Sequence, residues 1–165
     1  MLKQGKNKYP VTEVVLHTAA IRYPKTFLKN FNTVTKMRDE IKLWHTRDNN
    51  WRDIGYHYVV APDGSVAKGR PDNQIGAHVK NHNRGTIGIC MINPRPHDGI
   101  AKFENYFTPA QRKSVKKIIS KLGVQKVTGH NEYAAKECPG FIVHSEDWLS
   151  EPERKWYQKI WGWFS

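Results

Sequence analysis

The residues His130-Asn131-Glu132-Tyr133-Ala134-Ala135-Lys136-Glu137-Cys138-Pro139 gather an imidazole, a lysine and one of the chain's two thiols, and a proline closes the run. Neutral imidazole and thiolate are ligands that zinc favours, and a catalytic zinc takes three protein ligands and keeps one position open. On a continuous helix the step from His130 to Cys138 would part the two by ~12 Å, whereas ligands of one zinc lie only ~2.0–2.3 Å from the metal. A shared metal therefore requires the segment to loop back, and Pro139, which neither continues a helix nor donates to a sheet, suits a loop. A surface histidine and a buried thiol that never meet would give the same sequence, so this stretch alone leaves both readings open.

The other residues able to do such chemistry are scattered. Cys90 lies in the apolar run Ile87-Gly88-Ile89-Cys90-Met91-Ile92 and reads as a small core hydrophobe, which leaves Cys138 free for a metal. His17 is the only ionisable interior residue of Glu13-Val14-Val15-Leu16-His17-Thr18. A lone strand histidine is commonly a satisfied core residue, although a strand end is also a rigid place from which to project a ligand.

The elements that must position these residues follow from periodicity. Residues 13–18 and 86–92 read as buried strands, 54–60 as a strand turning at Pro62-Asp63-Gly64-Ser65 into a return strand at 66–68, and 124–128 as a last strand delivering His130. Alternation along a strand makes Tyr56 and His57 face opposite ways. Asn32 or Thr33 caps a helix reaching about residue 47, with Val34, Met37, Ile41 and Trp44 on its apolar stripe. Thr108-Pro109 opens a second helix, whose core face is Val115, Ile118, Ile119 and Leu122 and whose remainder carries Arg112, Lys113, Lys116, Lys117 and Lys121. Ser150-Glu151-Pro152-Glu153 is a capping box before an aromatic helix at 150–165, with Trp156, Ile160, Trp163 and Phe164 on one face, suited to docking on the core or to lipid. Residues 19–32, 71–85 and 93–107 read as loops, the last a long surface loop. The interleaving of strands and helices predicts an α/β fold.

Length and composition set the outer bounds. The 165 residues suit one domain with its own core, and two cysteines are too few for a disulfide scaffold. No stretch approaches the ~20 apolar residues of a membrane span. The N-terminus lacks an apolar signal region, which predicts synthesis in the cytoplasm. The net charge of +12 points to an anionic partner: nucleic acid, a membrane surface or a cell-wall polymer.

Several stretches together resemble the zinc-dependent N-acetylmuramoyl-L-alanine amidases, the family that includes peptidoglycan recognition proteins, and within it the amidase-type lysozymes of T-odd phages. They are Val14-Val15-Leu16-His17, Trp44-His45, Trp51 to Val60, Asp63-Gly64-Ser65-Val66, Gly76-Ala77-His78, Ile87-Gly88-Ile89-Cys90, Phe107-Thr108-Pro109-Ala110-Gln111, and His130 through Pro139, in the family's order. The resemblance implies a single catalytic domain over residues 1–165, with a core at 13–149, a basic segment at 1–12 and the aromatic helix at 150–165. It implies a central mixed β-sheet flanked by helices, with one zinc ion held by His17, His130 and Cys138 in a groove at the sheet's edge.

Tyr56 and Lys136 are implied as catalytic residues, and His78 and Asn83 as contacts to glycan or peptide. The implied reaction is hydrolysis of the amide joining N-acetylmuramic acid to L-alanine in peptidoglycan, by an endolysin made in the host cytoplasm and released when a holin opens the membrane. No nucleic-acid partner and a monomer are expected, and the basic and aromatic C-terminal features would reach an anionic envelope. His57 is expected in the core, and His144 is a candidate for supporting a ligand from behind. Two other roles are carried as alternatives: binding and inhibition of a phage RNA polymerase, for which residues 1–12 make a poor match, and a non-catalytic peptidoglycan-binding module.

Overall fold

The computed structural model describes residues 1–149, so the aromatic helix expected at 150–165 lies outside the described residues. A short antiparallel hairpin, β1 (Lys3–Gln4) with β2 (Tyr9–Pro10), opens the chain. There follow β3 (Glu13–Thr18), α1 (Pro24–Asn30), α2 (Val34–Leu43), β4 (Tyr58–Val60), β5 (Val66–Lys68), β6 (Thr86–Met91), α3 (Phe103–Tyr106), α4 (Pro109–Leu122) and β7 (Lys126–Gly129). The main sheet has the order β5-β4-β6-β3-β7, with β5 antiparallel to β4 and every other pair parallel.

Strands covered on both faces run largely apolar, and every residue of β3 and β6 is buried. Val14, Leu16, Ile87, Ile89 and Met91 pack toward Val115, Ile118 and Ile119 of α4. On the other face Val59, Cys90 and Ile92 meet Ile21 and Phe27 near α1 and Met37 and Ile41 of α2. The result is the mixed sheet with flanking helices that the sequence pattern predicts.

Local chemistry explains where the helices begin. Thr108 Oγ1 accepts from the Gln111 N–H while the Gln111 side chain accepts from the Thr108 N–H, a reciprocal cap with Pro109 in the first turn. Gln111 Nε2 then donates to the carbonyls of Val60 and Ile92, fastening α4 to the sheet. Thr33 caps α2 through the Lys36 N–H, and the helix passes into a π turn at Trp44–Asp48.

Three regions depart from the sequence expectation, and a fourth adds to it. The loop expected at 19–32 contains α1, which has no side-chain cap and is held by Phe27 packing at a tilt against Phe31 and Trp44, at 4.8 and 5.7 Å between ring centroids. The expected surface loop at 93–107 contains α3, and Phe103, Tyr106 and Phe107 are core residues against Phe141 and Trp148. The strand expected over 54–60 is regular only from Tyr58, because residues 55–57 hydrogen-bond to three different segments: Ala77, Gly69–Arg70 and Gly88. In the segment 1–12, Gln4 is fully buried and its side chain holds the Thr86 carbonyl and the Gly85 N–H.

Candidate metal centre and groove

The register of the sheet brings two histidines together. β7 runs beside β3 with Gly129 opposite Leu16, so the next residue, His130, falls beside His17 at the carboxyl ends of the strands. Neighbouring strands lie ~4.8 Å apart, and the two rings stand 4.7 Å apart between centroids. Carboxyl ends of parallel strands are where open α/β sheets bind ligands.

The third residue arrives by a loop. After a 3₁₀ turn at His130–Glu132 the chain folds back, and the Asn131 N–H donates to the Cys138 carbonyl at 2.8 Å. Cys138 Sγ is thereby set 3.8 Å from His17 Nδ1, and it accepts from the Thr18 N–H at 3.3 Å. One ligand atom from each of His17, His130 and Cys138 lies within 4.8 Å of the others. Tetrahedral zinc places its nitrogen and sulfur ligands roughly 3.3–3.6 Å from one another, so a small contraction of the cluster suffices to hold an ion.

The protonation states suit a cation. Burial, and then His78, His130 and Lys136 around it, keep His17 well below the usual imidazole range. Burial and Lys136 lower His130 in the same direction. Both rings are therefore neutral at pH 7 and offer lone pairs. Burial pushes the Cys138 thiol up to about 11, an effect that the Thr18 N–H and Lys136 only partly offset, so the thiol keeps its proton until a cation displaces it.

His130 opens onto a groove of about 590 Å³ that Trp51, Tyr56, His78, Asn83 and Lys136 also line. The Tyr56 ring lies 5.1 Å from His17 and 5.3 Å from His45 between centroids. Burial, with the Cys90 and Cys138 thiols nearby, raises the Tyr56 hydroxyl well above the ordinary phenol range, so it stays a neutral donor. Lys136 is exposed at the groove. His57 faces away from Tyr56: it is buried, its Nδ1 accepts from the Gly88 N–H and its Nε2 donates to the Gln74 carbonyl.

His78 and Asn83 border the groove, with both ring nitrogens of His78 and the Oδ1 of Asn83 committed to the protein. His78 is 7% exposed and its Nδ1 lies 3.0 Å from His17 Nε2; Asn83 Oδ1 accepts from the N–H groups of His78 and Val79. His144 is exposed at the start of a 3₁₀ turn and takes no part in the cluster. Cys90 is a core residue beside His17 in register.

Three residues that sequence reasoning left without a role matter here. His45 accepts from the Gly55 N–H and packs its ring between Trp51 and Tyr56. His82 Nε2 lies 3.1 Å from Glu13 Oε2, and its ring stacks on Tyr133. Glu13 also accepts from Thr128 and Tyr133. A charged residue directly before the apolar run Val14-Val15-Leu16 is the one sequence signal that could have marked this network, since a buried carboxylate needs donors.

Among known proteins, residues 7–141 match the family described as N-acetylmuramoyl-L-alanine amidase. The endolysin of Escherichia phage T7 is 34% identical over 125 residues, covering 73% of this chain and 74% of that protein. Two solved structures share the fold. The N-acetylmuramoyl-L-alanine amidase LysC from Clostridium intestinale has a TM-score of 0.62 at 22% identity, covering 89% of this chain and 93% of its own. The complex of the ectodomains of peptidoglycan recognition proteins LCa and LCx with tracheal cytotoxin gives 0.63 at 24% identity, covering 85% and 81%.

Proposed function

The chain belongs to the N-acetylmuramoyl-L-alanine amidase family and is a peptidoglycan hydrolase of the endolysin type, from which we propose that His17, His130 and Cys138 hold one zinc ion for hydrolysis of the amide between N-acetylmuramic acid and L-alanine. The observation that carries this reading is the convergence of those three ligand atoms within 4.8 Å beside an open groove. Two imidazoles and one thiolate are a donor set of the catalytic kind, three protein ligands with a position to spare. Zinc held there supplies Lewis acidity that lowers the pKa of water and polarises the amide carbonyl.

The remaining work falls to the protein. Lys136 lines the groove, and its ammonium is assigned to the carbonyl oxygen on which negative charge gathers as the amide is attacked, where a cation favours the transition state over the ground state. Tyr56, which keeps its proton and packs its ring against His17, is offered as the O–H donor to the reacting group. Trp51 and Asn83 border the same groove and are offered as contacts to glycan or peptide, with His78 also in its lining. The exposed lysines 113, 116, 117 and 121 of α4 give an anionic envelope a surface to meet. Among the described residues no helix is long and apolar enough to cross a membrane. Synthesis in the host cytoplasm and release through a holin belong to the same reading, supported by the likeness to phage endolysins.

Purified peptidoglycan tests the proposal. New L-alanine amino termini should appear on incubation, vanish on chelation and return with zinc. Hydrolysis that persists in the demonstrated absence of metal would overturn the zinc assignment, and wall binding without new amino termini would favour the binding-module alternative.

A further inference from the structure

We infer that His78 is a positioning residue that presents His17 to the metal in a single tautomer, with Thr86 setting the direction of the hydrogen-bond relay. The inference rests on the zinc reading above.

The direction follows from which groups can only accept. Thr86 Oγ1 lies 3.0 Å from the carbonyl of His82 and 3.1 Å from that of Asn83. A carbonyl has no proton to give, so the threonine hydroxyl spends its hydrogen there. Its oxygen is then left to accept from His78 Nε2, 3.3 Å away. A neutral imidazole carries one proton, so His78 Nδ1 is a lone pair and accepts from His17 Nε2 at 3.0 Å. His17 Nδ1 is therefore bare, and it is the atom turned toward Cys138 Sγ. Run in reverse, the relay would place a proton on the nitrogen that must bind metal. A second bond on the far nitrogen of a metal-ligating histidine fixes both tautomer and ring orientation.

The fold makes room for this arrangement at some cost in sequence freedom. A Cβ built on Gly88 of β6 would stand 2.5 Å from His78 Cγ, and one on Gly76 would stand 2.5 Å from His78 Cδ2. Asn83 fixes the backbone of His78 from the other side. A histidine placed chiefly to touch substrate would keep a ring nitrogen for it, and both of these are taken.

Nitrogen-resolved NMR of the metal-free protein should show His17 protonated on Nε2 before any zinc is added. In chelator competition, His78→Phe should bind zinc 10–100-fold more weakly than wild type, with His78→Gln, which can still accept from His17 and donate to Thr86, recovering part of the loss. Thr86→Val should leave the fold intact and yield a mixture of His17 tautomers. A wild-type protein that binds no zinc would defeat the zinc reading itself. Zinc binding in wild type with equal affinity in folded His78→Phe would defeat this inference alone, as would a raised KM with unchanged zinc affinity. Should His78→Phe not fold, Thr86→Val decides: unchanged tautomer and unchanged affinity together overturn the relay.

Discussion

The Tyr133 hydroxyl lies 2.5 Å from Glu13 Oε1, tying the loop that carries His130 and Cys138 to the first residue of β3. Thr128 reaches the same oxygen and His82 the other, so one buried carboxylate joins the two segments that border the groove. Burial alone would raise its pKa; the bonds from Thr128, Tyr133 and His82, and the Lys126 charge, hold it below the usual carboxylate value. Glu13→Gln should cost ~1.5–3 kcal/mol, the range for hydrogen bonds to a charged group, measured by denaturant unfolding. An unchanged midpoint would mean that the network contributes nothing to stability.

Stability should fall in mild acid because of His57. Burial depresses its pKa from 6.5 to about 4, so the unfolded chain takes up a proton below pH 6.5 that the folded chain refuses. The stability present at neutral pH is lost as pH falls from 6.5 toward 4, on the order of 3 kcal/mol for this group. Unfolding curves that superimpose at pH 7 and pH 5 would show that His57 is protonated in the native state.

Cys138→Ser should lose metal and hydrolysis together. Elemental analysis is the direct check, and a variant that retains a full equivalent of zinc would remove Cys138 from the ligand set.

Lys136→Ala should keep its zinc yet lose ~10²–10³ in turnover, the scale for removal of one group stabilising an oxyanion. Tyr56→Phe should likewise keep its metal and turn over more slowly. A wild-type rate in either variant would take that residue out of the chemistry.

Reversing charge at Lys113, Lys116 and Lys117 should weaken sedimentation with anionic cell wall, most strongly at low salt, because exposed charges are screened beyond ~10 Å at 0.1 M. Equal wall binding at every ionic strength would leave the basic face of α4 as a solvated surface.

What could be read in the sequence tracks how each residue is held. β3, β6, α2 and α4 carry continuous or periodic apolar patterns, and their positions follow from that pattern alone. Phe103, Tyr106 and Phe107 were hidden because their burial depends on Phe141 and Trp148, far along the chain and free of any period. The candidate ligands His17, His130 and Cys138 can be named by type and by resemblance, whereas their meeting depends on the β3–β7 register, which no local window contains. His78 was expected at the substrate; its partner His17 lies 61 positions away, and only the fold puts the two rings in contact.

His17 is woven into a strand hydrogen-bonded on both edges, while His130 and Cys138 sit at the two ends of one short return of chain. One post of the site is thus part of the frame, and the other two form a clasp. On the zinc reading, emptying and refilling the centre should reshape the clasp and leave the frame standing, so a protein stripped of the ion ought to regain it without having to fold again.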